Sequence, residues 1–317
     1  MRKYEVDGMK SIKKRMAGRR DSLISFGIVI LAYIVIQIMI STGNISSSLK
    51  GQLVPICAYI VMAVSLNLTV GFLGELSLGH AGFMSVGAFT GIVVTTSLAQ
   101  AIPSAPLRLA IAMIIGGIFA AVAGVIVGVP VLRLKGDYLA IVTLAFGEII
   151  KNIINVLYIG MDGNGLHFSL LEQRFALEDG GKMIINGPMG VSGVTKISSF
   201  TSGIILILIT LFLILNLVHS RTGRAVMSVR DNRIAAESIG ISATRYRLLA
   251  FVISAAFAGM AGTLYAMNFS TVTANKFDFN TSILVLVFVV LGGLGNIWGS
   301  IIAAALLTVL PELLRGL

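Results

Sequence analysis

The chain has 317 residues, of which 56% are apolar and only 12% charged, with 35 glycines and a mean hydropathy of +0.95. A soluble domain carries charge on about a quarter of its positions, so this composition excludes an ordinary water-soluble fold and points to lipid. The net charge of +10 would suit nucleic acid, but its placement excludes that partner: the excess lies wholly in residues 1–20 and 221–247, each flanking apolar runs, where cytoplasmic topology signals and attraction to anionic lipid are expected.

The basic N-terminus (1–21) holds Arg2, Lys3, Lys10, Lys13, Lys14, Arg15, Arg19 and Arg20 against Glu5, Asp7 and Asp21. It is expected on the cytoplasmic side. The apolar run 22–40 is long for a signal peptide and lacks an Ala-x-Ala-like cleavage site, so it reads as a retained first span followed by a Ser-rich external loop. Further apolar segments follow at 53–70, 76–98, 109–132 and 138–159. A Pro-containing turn around Pro103 and Pro106 and a basic turn with Arg133 and Lys135 separate the later ones. Residues 160–200 form a polar excursion, which parity from a cytoplasmic N-terminus places outside. The run 203–219 returns inward, 248–268 leaves again, and 281–315 closes the chain, broken near Gly292 to Asn296. The expected fold is an all-α polytopic membrane helix bundle of eight to ten transmembrane segments with Gly-broken helices, a single transmembrane domain over 22–317. Closed helices satisfy every backbone group in lipid, and no barrel-like strand alternation is present.

Small residues at four-residue spacing (Gly87 and Gly91; Ala120, Gly124 and Gly128; Ala255 and Gly259) predict close helix crossings, since small residues let backbones approach. A second pattern is an internal echo. Gly71-Phe-Leu-Gly74 and Gly292-Gly-Leu-Gly295 each interrupt an apolar stretch, and paired Gly-broken segments are a sequence pointer to a transport pathway.

The catalytic inventory is thin. His80, His167 and His219 are far apart, no Gly-x-Ser-x-Gly elbow occurs, and Cys57 is the sole cysteine, so neither a disulfide framework nor a Cys metal site is expected. Gly180-Gly-Lys182 is followed by Met183, with Ala176 where a phosphate loop needs its first Gly, so no ATP site is expected. Intramembrane acids are functional candidates by default. Glu75 lies in the Gly-broken stretch, while Glu148 and Lys151, three apart, are placed to neutralise each other. Gly79-His80-Ala-Gly82 can begin a half-helix whose amide end favours an anionic group, with Ser77 and His80 facing a pathway; a packing turn with a hydrogen-bonded His fits equally. Glu75, Ser77 and His80 are therefore the candidate substrate-pathway residues.

The loop 220–247 carries Arg221, Arg224, Arg230, Arg233, Arg245 and Arg247 against Asp231 and Glu237. Within it, Ile234, Ala235 and Ile239 share a face at helical spacing, and Arg233 and Glu237 pair at i,i+4 on the other. Asp231 or Asn232 can cap the start and Gly240 the end. A short amphipathic helix with so small an apolar face suits docking into a protein groove better than lipid anchoring.

Three blocks, 71–91 (GFLGELSLGHAGFMSVGAFTG), 136–150 (GDYLAIVTLAFGEII) and 223–266 (GRAVMSVRDNRIAAESIGISATRYRLLAFVISAAFAGMAGTLYA), with GGLGNIWGS at 292–300, closely resemble the LivM-type permease of branched-chain amino acid ABC importers. The resemblance covers most of the chain beyond residue 50. It implies a multi-pass inner-membrane subunit that is not itself an enzyme, pairing with a second homologous permease and with two cytosolic ATPases that bind ATP and Mg. An extracytoplasmic binding protein would deliver leucine, isoleucine or valine. It also implies that Arg233, Ile234, Ala235, Ala236, Glu237, Ile239 and Gly240 form the ATPase-coupling helix. Gly160-Met-Asp-Gly-Asn-Gly165 keeps only part of the family's external Gly motif, which leaves urea or short amides open as substrates. An ion-coupled carrier acting alone is the alternative from another class, and would require Glu75 or Glu148.

Overall fold

The computed structural model describes residues 26–43, 46–134, 137–163, 165–172 and 181–314. The basic N-terminus, Lys135 in the basic turn and part of the polar excursion (173–180) lie outside the described residues. The fold is mostly helical. In chain order it runs α1 (Phe26–Ser41), α2 (Ser47–Asn67), α3 (His80–Ser97), α4 (Ala105–Val131) and α5 (Asp137–Asn155), then strands β1 (Leu157–Asp162), β2 (Gly165–Leu170), β3 (Lys182–Asn186) and β4 (Val191–Ser192). There follow α6 (Phe200–His219), α7 (Arg221–Asp231), α8 (Arg233–Ser238), α9 (Ala243–Ala266), β5 (Thr271–Val272), α10 (Phe279–Gly292) and α11 (Ile297–Leu314).

Among the described residues, six helical stretches are long and apolar enough to cross a bilayer: Ser47–Phe72, Ala105–Val131, Tyr138–Asn155, Phe200–His219, Ala243–Ala266 and Ala274–Gly292. Two shorter apolar helices, α1 and α11, accompany them. The run 76–98, expected as one span, is non-helical as far as Gly79, and only from His80 does it form α3. Helix starts follow local chemistry. Ser46 caps α2 by accepting from the Leu49 amide, and Ser199 and Ser202 form a reciprocal capping box at α6.

The core is the crossing of α3, α4 and α9, and small residues set its spacing. A Cβ on Gly87 would overlap the Gly259 backbone, and one on Gly124 would lie 2.8 Å from the Ala255 side chain. At the same crossing the Thr263 hydroxyl donates to the Gly87 carbonyl at 2.8 Å. Ala120, Ala255 and Ala258 are buried there. Gly87, Ala120, Gly124, Ala255 and Gly259 are among the small residues that the four-residue spacing picked out.

The structure corrects one expectation. The excursion 160–200 is not an irregular loop, and the chain is not all-α. β1 pairs antiparallel with β2 and β3 in a three-stranded sheet of order β2-β1-β3, and β4 pairs with β5. The physical signal is local: Leu166, Phe168 and Leu170 alternate with His167 and Ser169, behind an Asp-Gly-Asn-Gly run at 162–165 of the kind that closes two-residue hairpins. α6 spans 20 residues between this sheet and α7, about 30 Å of helix. The strands and the Arg-rich loop therefore lie at opposite ends of the bundle.

Candidate functional site

The Arg-rich loop folds as two helices. Ser220 caps α7, accepting from the Gly223 amide at 3.1 Å, and Ala225, Val226 and Val229 turn inward. The chain then straightens at Asn232 (φ −156°, ψ 104°), whose side chain caps α8 by accepting from the Ala235 amide at 3.0 Å. Of the two caps the sequence offered, Asn232 is the one used. Arg233 donates to Glu237 at 2.9 Å, one turn along α8.

Helix α8 ends in a Schellman motif. Gly240, at φ +87°, donates to the Glu237 carbonyl, and Ile241 donates to the Ala236 carbonyl, each at 3.0 Å. Ile241 also packs on the small cluster of Val229, Ala236 and Ala243, the hydrophobic contact that commonly accompanies this motif. Ala236 thus fixes α8 to the protein, while Ile234 and Ile239 face solvent at 81% and 75% exposure. Ile234 and the C-cap residue Ile239 thus leave two large aliphatic side chains exposed on this doubly capped helix.

The second candidate set lies between α2 and α3. α2 continues through a π-helical turn (Leu68–Phe72), a feature frequent at functional sites. Residues 73–79 then lead to α3. Glu75 forms an ion pair with Arg247 of α9, both largely buried. Burial raises the Glu75 carboxyl above its ordinary value, and the Arg247 guanidinium, with Arg233 more weakly, draws it back down. Ser77 is buried and its hydroxyl has no partner among the described residues. His80 is buried as the first residue of α3, its Nε2 2.9 Å from the Ser65 hydroxyl.

The start of α3 has its amides matched by side chains: Leu78 donates to Thr143 at 3.0 Å and Ala81 to Ser282 at 3.1 Å. Together with the His80–Ser65 bond, these contacts hold the turn against α2, α5 and α10. Glu148 and Lys151 pair as their spacing predicted. The structure does not bring Glu75 and His80 into a hydrogen bond with each other.

Three residues outside the candidate site sets hold the corner together. Asn67 is fully buried; its amide donates to the Asn296 carbonyl at 3.0 Å and to Ser300 at 2.9 Å, and its carbonyl oxygen accepts from Gly295 at 2.9 Å. Ser65 also offers its own carbonyl to the Ser254 hydroxyl of α9. Arg230 donates to the Gly71 carbonyl at 3.2 Å. The two Gly-broken stretches seen as an internal echo meet here, for a Cβ on Gly71 would overlap the Gly295 backbone. A buried Asn beside a Gly break was the available signal, since a polar side chain in an apolar run must find partners.

Residues 48–317 match the family described as the branched-chain amino acid transport system permease component. The chain belongs to this permease family. It is 36% identical over 98% of its length, and 73% of the relative's, to the high-affinity branched-chain amino acid transport system permease protein LivM of Salmonella typhimurium. The same identity and coverage hold for LivM of Escherichia coli K12. A more distant relative, 24% identical over 80% of this chain and 71% of its own, is the fructose import permease protein FruG of Bifidobacterium longum. No solved structure matches. Family and apolar helices together make the chain a multi-pass membrane permease.

Proposed function

We propose that this chain is the membrane-spanning subunit of an ATP-driven importer for leucine, isoleucine and valine, forming the translocation pathway with a second, homologous permease. Of two cytosolic ATPases, which bind ATP and Mg, one docks on α8 through Ile234 and Ile239, and an extracytoplasmic binding protein delivers substrate at the strand-bearing end. The subunit lies in the inner membrane with its N-terminus and α8 on the cytoplasmic side. It crosses eight to ten times when the shorter apolar helices and the interrupted segments are counted.

The observation that carries this reading is α8 itself. It is capped at both ends, fixed by Ala236, and presents two exposed isoleucines far from the strands. Relatives named for branched-chain amino acids support the substrate class. The test is ATP hydrolysis in proteoliposomes holding this permease, its partner permease and the ATPases, with binding protein outside. Stimulation by leucine-loaded, but not empty or urea-loaded, binding protein is the expected result. Leucine uptake by this chain alone under an imposed ion gradient, without ATPases, would refute it.

A further inference from the structure

Two arginines stand between α8 and the loop that leads to α3. Arg230, in the last turn of α7, donates to the Gly71 carbonyl and covers Gly74; a Cβ at Gly74, whose φ is +77°, would sit 2.6 Å from Arg230 Cγ. Arg247, in the second turn of α9, pairs with Glu75 and donates from Nη1 to the carbonyl of Leu132, the C-cap of α4, at 2.8 Å. α8 is tied to the rest of the chain through α7 on one side and the short lead into α9 on the other. A rigid displacement of α8 is therefore passed to these two arginines through α7 and the start of α9.

Between them the two arginines hold the stretch 71–75, Arg230 at Gly71 and Gly74 and Arg247 at Glu75. From there the chain runs directly to Gly79, where a Cβ would overlap the Thr143 backbone, and into α3. The same stretch touches the α10–α11 turn through Gly71 and Gly295. Slippage is costly, because parting Glu75 from Arg247 leaves a buried charge unmatched. The loop has to travel with Arg247.

We propose that Arg230 and Arg247 are positioning residues that transmit displacement of α8 to the Gly71–Glu75 loop, and so to the start of α3 and the α10–α11 turn. This rests on the reading of α8 as the ATPase-docking helix. The test uses the complete transporter in proteoliposomes, with leucine uptake and ATP hydrolysis measured on the same vesicles. In Arg247→Gln, uptake per ATP should fall roughly tenfold, within the usual range of coupling energies, while stimulation by loaded binding protein persists. Arg247→Lys should recover part of the loss. Combining Glu75→Arg with Arg247→Glu should restore more than either single change.

A variant whose uptake and hydrolysis fall in proportion, or keep the wild-type ratio, overturns the link. If Arg247→Gln does not insert, Arg230→Met decides the question: its side chain is 39% exposed, so its loss spares the core, and an unchanged ratio refutes the proposal. A wild-type complex whose hydrolysis ignores loaded binding protein overturns the importer reading and the link with it. A responsive wild type with variants of unchanged ratio overturns the link alone.

Discussion

Asn67→Leu isolates the contact between the two Gly-broken stretches. The substitution keeps the branched shape and heavy-atom count of the side chain and removes three hydrogen bonds, to Gly295, Asn296 and Ser300. Their losses are unequal. Ser300 and the Asn296 carbonyl already bond each other at 3.0 Å and remain satisfied, whereas the Gly295 amide loses its partner. At about 0.6 kcal/mol per polar contact inside a membrane protein, three contacts give about 2 kcal/mol. One orphaned, half-buried donor gives the same order, about 1–3 kcal/mol. At roughly 2 °C per kcal/mol for a chain of this size, the melting temperature should drop by about 4 °C. The chain supplies its own reporter: Cys57 is the sole cysteine and is 1% exposed, so a thiol-reactive dye fluoresces only as the bundle opens. Melting within about 1 °C of wild type, where less than 0.5 kcal/mol would be lost, would show that Asn67 does not tie α2 to the α10–α11 turn.

Three further outcomes follow from the geometry. Gly87→Leu should destabilise by at least the roughly 1–3 kcal/mol of an overpacked core, because its Cβ meets the Gly259 backbone rather than a side chain that can move; the same dye assay measures it. Asn232→Ala removes the cap of α8 and should cost about 1 kcal/mol of local stability, read as faster amide exchange over residues 233–238 with exchange in α9 unchanged. Ile239→Asp and Gly240→Pro should leave the permease inserted but abolish the response of the ATPases. The first puts a charge on an exposed docking side chain; the second demands φ near −65° where the chain needs +87° and deletes a capping donor. Normal leucine-stimulated hydrolysis in both variants would refute docking on α8.

The parts of this fold legible in the sequence are those governed by local rules. Apolar runs predicted the helices. Four-residue spacing of small side chains predicted close helix crossings, which the structure forms among α3, α4 and α9. Asn-Arg-Ile-Ala-Ala-Glu-Ser-Ile-Gly predicted α8 with its cap, its i,i+4 pair and its glycine end, because each is fixed within four residues of chain. The sheet at 157–186 was missed for a different reason. Its alternation is short and weakly apolar beside 20-residue runs, so its Asp-Gly-Asn-Gly turn was the only strong signal.

Pairings across the bundle were not legible. A carboxylate at Glu75 needs a cation, but the nearby loop offers six arginines, and spacing alone cannot choose Arg247 over Arg230 or Arg245. The structure chooses by placing Arg247 one and a half turns into an apolar helix, 5% exposed, where desolvation makes a partner obligatory. Arg230 remains half-exposed and binds a carbonyl as well as Asp231. The distinction matters for how the two would act. An exposed arginine on a backbone carbonyl can exchange its bond with water at little cost, so it registers the position of the loop. A buried ion pair has no such substitute and carries load. Arg247 should therefore show the larger loss of uptake per ATP, and Arg230 the smaller; the reverse order would mean that the loop is driven through α7 rather than α9.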